Sequence, residues 1–102
     1  MPSVPAPSRK KLPEKQIRLI VKALADPGRY DILKRLRCQD EAVACSEMRA
    51  CATISPATLS HHMKELEQAG LVEPIREGKF VSYVLNRDTL ESFLERVRTD
   101  LL

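Results

Sequence analysis

The most versatile chemistry in this 102-residue chain belongs to three cysteines and two adjacent histidines, Cys38, Cys45, Cys51, His61 and His62. Thiolates and imidazoles bind metal ions and act as nucleophiles or bases. The cysteines form no Cys-x-x-Cys pair, however, and neighbouring histidines on a helix project about 100° apart, which disfavours a shared ion. The sequence also contains no glycine-rich phosphate loop and no nucleophile elbow. We therefore expect no metal site, no cofactor and no enzyme activity.

A second group of polar side chains follows Ser55. Ser55 is a good helix N-cap, Pro56 suits the first helical position, and Gly70 supplies the left-handed residue that ends a helix. Leu59, Met63 and Leu66 form the inward stripe of this helix. Small, hydrogen-bonding or basic side chains occupy the opposite face: Ala57, Thr58, Ser60, His61 and Lys64. We expect these five residues and Ser55 to contact DNA. Such side chains suit close approach to the base edges of duplex DNA, and Ala57 and the Thr58 methyl suit a thymine methyl.

Two neighbouring elements would position that helix. A short helix from about Ser46 to Ala52, with Ser46 as its N-cap and Met48 facing inward, precedes it across a tight turn, which is the helix-turn-helix pattern. Two strands, about 71–76 and 80–85, follow it. Because Pro74 cannot donate a ladder hydrogen bond, its strand should be an edge or bulged strand. Arg76 and Lys79 bracket the tip of this hairpin, where they can contact the DNA backbone or the minor groove.

Three further helices complete the expected fold. The first begins near Pro13 and carries an apolar stripe, which consists of Ile17, Ile20, Val21 and Leu24. The second has Asp26 as N-cap and Pro27 at its first position, and its apolar positions are Tyr30, Ile32, Leu33 and Leu36. The last spans about 87–101 with a stripe of Leu90, Phe93, Leu94, Val97 and Leu101. The fold class is therefore mainly α with a small β-hairpin (α+β), about five helices and a two-stranded wing.

Composition and charge set the context for this fold. Residues 1–37 hold ten Lys or Arg against three Asp or Glu. This charge favours a polyanionic partner only weakly, because on charge alone a solvated helix face is the better explanation. Residues 1–12 are expected to form a flexible basic tail, and 13–102 a single domain. Without a signal-like segment, a membrane-length apolar run or paired cysteines, the expected location is the cytoplasm, with no membrane partner.

Three segments in order carry a family resemblance. They resemble, in chain order, the second helix, the recognition helix and the wing of the ArsR/SmtB family of winged-helix repressors. The segments are VKALADPGRYDILKRL at 21–36, SPATLSHHMKELEQAGLV at 55–72 and REGKFVSYVL at 76–85. The resemblance covers about residues 15–100. It implies a homodimer formed through the first and last helices, a palindromic double-stranded DNA operator, and release by an inducer whose identity stays unknown.

Other interpretations remain open. The apolar stripes of the first and last helices would also serve simply to cover the protomer's own core. The chain would then have no dimer interface there. A dimeric interaction module that does not bind DNA is a further alternative.

The sequence departs from the family pattern at several positions. Gly28 stands where the family commonly has Thr, and Pro56 where it often has Gln. Ala44 and Ser46 occupy the places of the two thiolates of one family metal site, and Leu90 replaces the expected His of the other. Both well-known metal sites are therefore expected to be absent.

The cysteines leave a thiol-based trigger open. Cys51 shares the inward face of its helix with Met48, so it is expected to be buried and inert. Cys38 and Cys45 lie on either side of a short polar loop, and a thiol near a helix amino terminus tends to be reactive. If arsenic or an oxidant regulates the protein, Cys38 and Cys45 are the expected carriers.

Overall fold

The computed structural model describes residues 11–38, 42–44, 46–48 and 54–102. Its elements follow the order α1 (Glu14–Leu24), α2 (Pro27–Arg37), β1 (Val43–Ala44), α3 (helical at 46–48), α4 (Pro56–Gln68), β2 (Val72–Glu77), β3 (Phe80–Leu85) and α5 (Arg87–Leu101). The expected helices and hairpin are thus confirmed. Cys45, Cys51 and the first ten residues of the basic tail predicted at 1–12 lie outside the described residues.

The junction between α1 and α2 forms as its sequence predicts. Asp26 is extended at φ −96° and ψ 121°, and its Oδ1 accepts a hydrogen bond of 3.1 Å from the amide of Gly28. Pro27 occupies the first turn of α2, where its missing amide proton costs nothing. The chain therefore ends one helix and begins the next within two residues.

The sheet has one strand more than the sequence indicates. Its order is β1-β3-β2 with both pairs antiparallel, and Val43 lies opposite Tyr83. β1 was missed because two residues are too short to show the alternation that identifies a strand. The prediction for Pro74 is confirmed, since β2, which contains Pro74, is an edge strand. Pro74 lies opposite Tyr83 of β3.

The core is formed by one face of every described helix and by the inner face of the sheet. Its fully buried large side chains are Ile20, Leu36, Met48, Leu59, Met63, Leu66 and Leu71. Leu71 follows α4 through Gly70, whose φ of +79° is the left-handed conformation expected there. The amide of Leu71 donates to the carbonyl of Leu66 at 3.0 Å, which closes the end of α4.

Some residues assigned to apolar stripes are not inside. Val21 is 55% exposed and Tyr30 is 51% exposed, because each lies at the edge of the core-facing side of its helix. Leu94 and Leu101 of α5 are likewise exposed. Ser46 is already helical, so it is not the N-cap expected for α3.

Candidate nucleic-acid interface

The outer face of α4 presents the side chains that the sequence predicts for DNA. Its predicted contact residues are all exposed, namely Ser55 at the N-cap and Ala57, Thr58, Ser60, His61 and Lys64 within the helix. The opposite face is anchored in the core by Leu59, Met63 and Leu66. Burial on one side and short polar groups on the other leave α4 free to enter a groove of about its own diameter.

Ser55 is the N-cap of α4. Its Oγ accepts a hydrogen bond of 3.1 Å from the amide of Thr58, and it also lies 3.0 Å from the Thr58 hydroxyl. This contact caps the helix and fixes the Thr58 side chain. Ser55 therefore positions the amino-terminal turn, where the backbone amides and the positive end of the helix dipole favour a phosphate.

His62 points the other way and holds α4 against the α1–α2 junction. Its side chain is 10% exposed, and its Nε2 lies 3.5 Å from Oδ2 of Asp26. Nδ1 is buried and has no hydrogen-bond partner within the described part of the chain. The two neighbouring histidines of α4 therefore differ, since His62 is buried in the protein whereas His61 is exposed.

Arg29 completes the junction beneath His62. Its Nε donates to the carbonyl of Ala23 at 2.8 Å, and its Nη2 donates to that of Lys22 at 3.1 Å. Nη1 also lies 3.5 Å from Oδ2 of Asp26. One guanidinium thus binds two carbonyl groups in the last turn of α1 and the carboxylate that caps α2. The carbonyl of Lys22 also accepts a hydrogen bond from the amide of Ala25.

Glu67 connects α4 to the wing, which is the hairpin formed by β2 and β3. Its Oε2 accepts a hydrogen bond of 3.2 Å from the hydroxyl of Tyr83, and its Oε1 lies 3.6 Å from Nη2 of Arg76. The predicted DNA contact Arg76 is therefore also an ion-pair partner of the helix. Sequence reasoning missed Glu67, because the pairing joins side chains from separate elements.

The wing tip carries one basic and one apolar group. Lys79 is exposed beside Gly78, whose φ of +61° permits the tight turn. Phe80 follows and is 74% exposed, although an aromatic side chain is usually buried. Sequence reasoning did not identify Phe80 as an exposed residue of the wing. Its position directly after the glycine turn, as the first residue of β3, was the signal available.

Comparison with known proteins decides the family. A family model described as a helix-turn-helix domain matches residues 24–75. The arsenical resistance operon repressor of Staphylococcus xylosus is 39% identical over 77 residues, which is 76% of this chain and 72% of that protein. This chain belongs to the ArsR family. The transcriptional repressor SdpR of Bacillus subtilis is 33% identical over 71% of this chain and 78% of its own length.

Solved structures agree with the winged-helix fold of this ArsR-family chain. A homodimeric winged helix-turn-helix DNA-binding domain from Mycobacterium bovis aligns with a TM-score of 0.67 and 30% identity over 84% of this chain and 80% of that one. An ArsR-like regulator from Rhodococcus sp. RHA1 aligns with a TM-score of 0.73, at 21% identity, over 83% and 78%. The relatives from Staphylococcus xylosus and Bacillus subtilis are transcriptional repressors, in line with the expectation that the chain is not an enzyme.

The metal and thiol positions of this ArsR-family chain can be located only in part. Among the described residues, no three His, Cys, Asp or Glu side chains come together as a metal site would require. Cys38 is the C-cap that follows α2, is exposed, and its thiol donates to the carbonyl of Lys34 at 3.5 Å. Its proposed partner Cys45 lies outside the described residues, so thiol sensing stays a prediction.

No described helix has the length and apolar character that crossing a membrane requires.

Proposed function

We propose that this protein is a homodimeric transcriptional repressor that binds a palindromic operator and leaves it when an inducer binds. The outer face of α4 carries the proposal, because five exposed residues, of which four are polar or basic and one is alanine, lie opposite a fully buried stripe. In this arrangement α4 enters the major groove of each half-site. Two copies related by a twofold axis then read an inverted repeat.

The proposed base contacts come from the first two turns of α4. Thr58, Ser60 and His61 offer donors and acceptors to base edges, and Ala57 offers a methyl group to thymine. Lys64 stands one turn further on, where a phosphate contact suits a flexible ammonium group. Ser55 contributes its position at the helix amino terminus, although its hydroxyl is engaged with Thr58.

The wing would add contacts beside the major groove. Lys79 at the turn supplies a cation for a phosphate, and exposed Phe80 offers an apolar surface to the sugar edge of the minor groove. The bonds of Glu67 to Tyr83 and Arg76 hold the hairpin against α4, so that helix and wing approach DNA as one unit. Arg76 remains exposed enough to reach a phosphate as well.

The proposed dimer uses the outer edges of α1 and α5. Val21, Leu94 and Leu101 are exposed apolar side chains on these helices, at 55%, 56% and 76%. Arg96 of α5 binds Glu14 of α1, and this hydrogen bond is the main cause that raises the pKa of Arg96 above its ordinary value. A fixed pair of helices with an apolar edge suits a twofold interface.

Selection from a pool of random duplex DNA tests the proposal. The wild-type protein should enrich an inverted repeat whose half-sites are centred about one helical turn, roughly 10 base pairs, apart. The Ser60→Ala and His61→Ala variants should relax the selected bases symmetrically in both half-sites. The absence of any enriched sequence would favour the alternative of an interaction module without DNA binding.

A further inference from the structure

A groove of about 370 Å³ lies between α2 and α5, away from the outer face of α4. Most of its wall is apolar and comes from five leucines and one tyrosine: Leu24, Tyr30, Leu33, Leu85, Leu90 and Leu94. Sites for small organic molecules measure about 300–1,000 Å³ and are lined mainly by such side chains. The groove is therefore large enough for a compact organic molecule.

The rim of the groove is predominantly cationic. Lys34, Arg37 and Arg87 line it together with one acid, Glu91. The Arg87 Nη2 donates to the main-chain carbonyl of Arg37 at 3.0 Å, so this guanidinium is held at the carboxyl end of α2. An apolar floor with cations along one edge matches a molecule that has an apolar body and an anionic head.

Lys34 stands over the aromatic wall of the groove. Its Nζ lies 5.8 Å from the centre of the Tyr30 ring and 3.4 Å from Oδ1 of Asp31. Both Lys34 and Asp31 are well exposed, so their ion pair is weak and an incoming carboxylate can compete for the ammonium group. Tyr30, which is half exposed, then covers the apolar part of the same molecule.

We propose that this groove binds an amphipathic organic anion, with its apolar body against the leucines and its head at Lys34 and Arg87. The role of this anion as the inducer rests on the proposed function. Leu94 lines the groove and also belongs to the exposed edge of α5 assigned to the dimer. A molecule that displaces Leu94 therefore changes the interface that sets the spacing of the two recognition helices.

Amide chemical-shift titration of the full chain tests the site without DNA. Octanoate and octan-1-ol are the probes, because they share an apolar chain and differ in the charge of the head. Octanoate should bind about tenfold more tightly than the alcohol, as a charge-assisted hydrogen bond requires. Its shifts should concentrate at residues 30–37 and 85–94.

Matched variants assign the charge recognition. Lys34→Gln and Arg87→Gln should each weaken octanoate binding several-fold and leave octan-1-ol binding unchanged. Lys22→Gln removes an exposed cation of α1 that does not line the groove, and it should change neither. Equal affinities for acid and alcohol, shifts outside the groove, or equal effects of Lys22→Gln and Lys34→Gln would overturn the proposal.

Two further outcomes bear on what fills the groove and on what binding does. Octanoate binding that weakens as the protein concentration rises would show that a second copy covers the groove, and this would overturn the proposed occupant. Octanoate that binds in the groove but leaves operator affinity unchanged would overturn its role as an inducer. Because the titration contains no DNA, failure of octanoate to bind is distinguishable from failure of the protein to bind an operator.

Discussion

A Cβ atom on Gly28 would lie 2.9 Å from Nε2 of His62, so the first turn of α2 and α4 pack with no side chain between them. Carbon and nitrogen atoms do not approach this closely without a shift. His62 cannot easily yield, because its ring is buried and faces Asp26. The unusual glycine at position 28 and the histidine at 62 are therefore complementary.

Replacing Gly28 with alanine should destabilise the protein by about 1–2 kcal/mol. Overpacking a filled site costs roughly 1–3 kcal/mol, whereas replacing glycine by alanine in a helix gains about 1 kcal/mol or less. Chemical denaturation followed by circular dichroism measures the difference in the free energy of unfolding.

The control is the same substitution in a His62→Ala background. With the imidazole removed, Gly28→Ala should become neutral or stabilising by up to about 1 kcal/mol, because only the helix propensity remains. An effect of Gly28→Ala that is the same in both backgrounds would show that the two residues are not coupled.

Substitutions at Ser55 should separate helix capping from DNA binding. Ser55→Ala should lower the free energy of unfolding by about 1 kcal/mol, because the amide of Thr58 loses its acceptor. Ser55→Asp keeps a capping oxygen and should preserve stability, but its charge would repel a nearby phosphate and lower the affinity for any duplex. A Ser55→Asp protein with wild-type DNA affinity would place the amino terminus of α4 away from the backbone.

His61 and Lys79 should affect DNA binding differently. His61→Ala should lower affinity for the selected operator more than for random DNA, by about 1–3 kcal/mol if one base contact is lost. Lys79→Ala should weaken both about equally and flatten the dependence of affinity on salt. Fluorescence anisotropy over a range of salt concentrations distinguishes the two effects, and an unchanged specificity ratio for His61→Ala would refute its assignment.

The dimer should depend on Leu94. The wild-type protein should sediment as a dimer at micromolar concentration, and Leu94→Glu should shift it toward monomer and weaken operator binding, because a carboxylate at the interface must be desolvated. Thr99→Glu adds the same charge at an exposed position on another side of α5 and should leave the dimer intact. A wild-type monomer, or a dimeric Leu94→Glu protein, would contradict the proposed interface.

Local signals made much of this fold predictable. The caps Asp26 and Ser55, followed by Pro27 and Pro56, mark helix starts because each acts within its own first turn. Gly70 likewise marks the end of α4. These features depend on neighbouring residues alone, so a single sequence shows them.

What the sequence does not reveal depends on distant residues. β1 is defined by its pairing with β3. Glu67 contacts Tyr83 and Arg76 of the wing. The contact of Gly28 with His62 joins positions 34 residues apart along the chain. Periodicity also assigned Val21 to the inward stripe of α1, although Val21 is exposed. Periodicity identifies the apolar side of a helix, but it does not show which edge of that side a neighbouring element covers.

Photo-cross-linking with 5-iodouracil in a selected operator tests most directly whether α4 reads the major groove. The iodine replaces the thymine methyl, which lies in that groove, and the wild-type protein needs no modification. Mass spectrometry of the cross-linked peptide should identify residues 57–64, with His61 as the expected site of attachment. Cross-links confined to α1 or α5 would contradict the account, because those helices would then face the bases in place of α4.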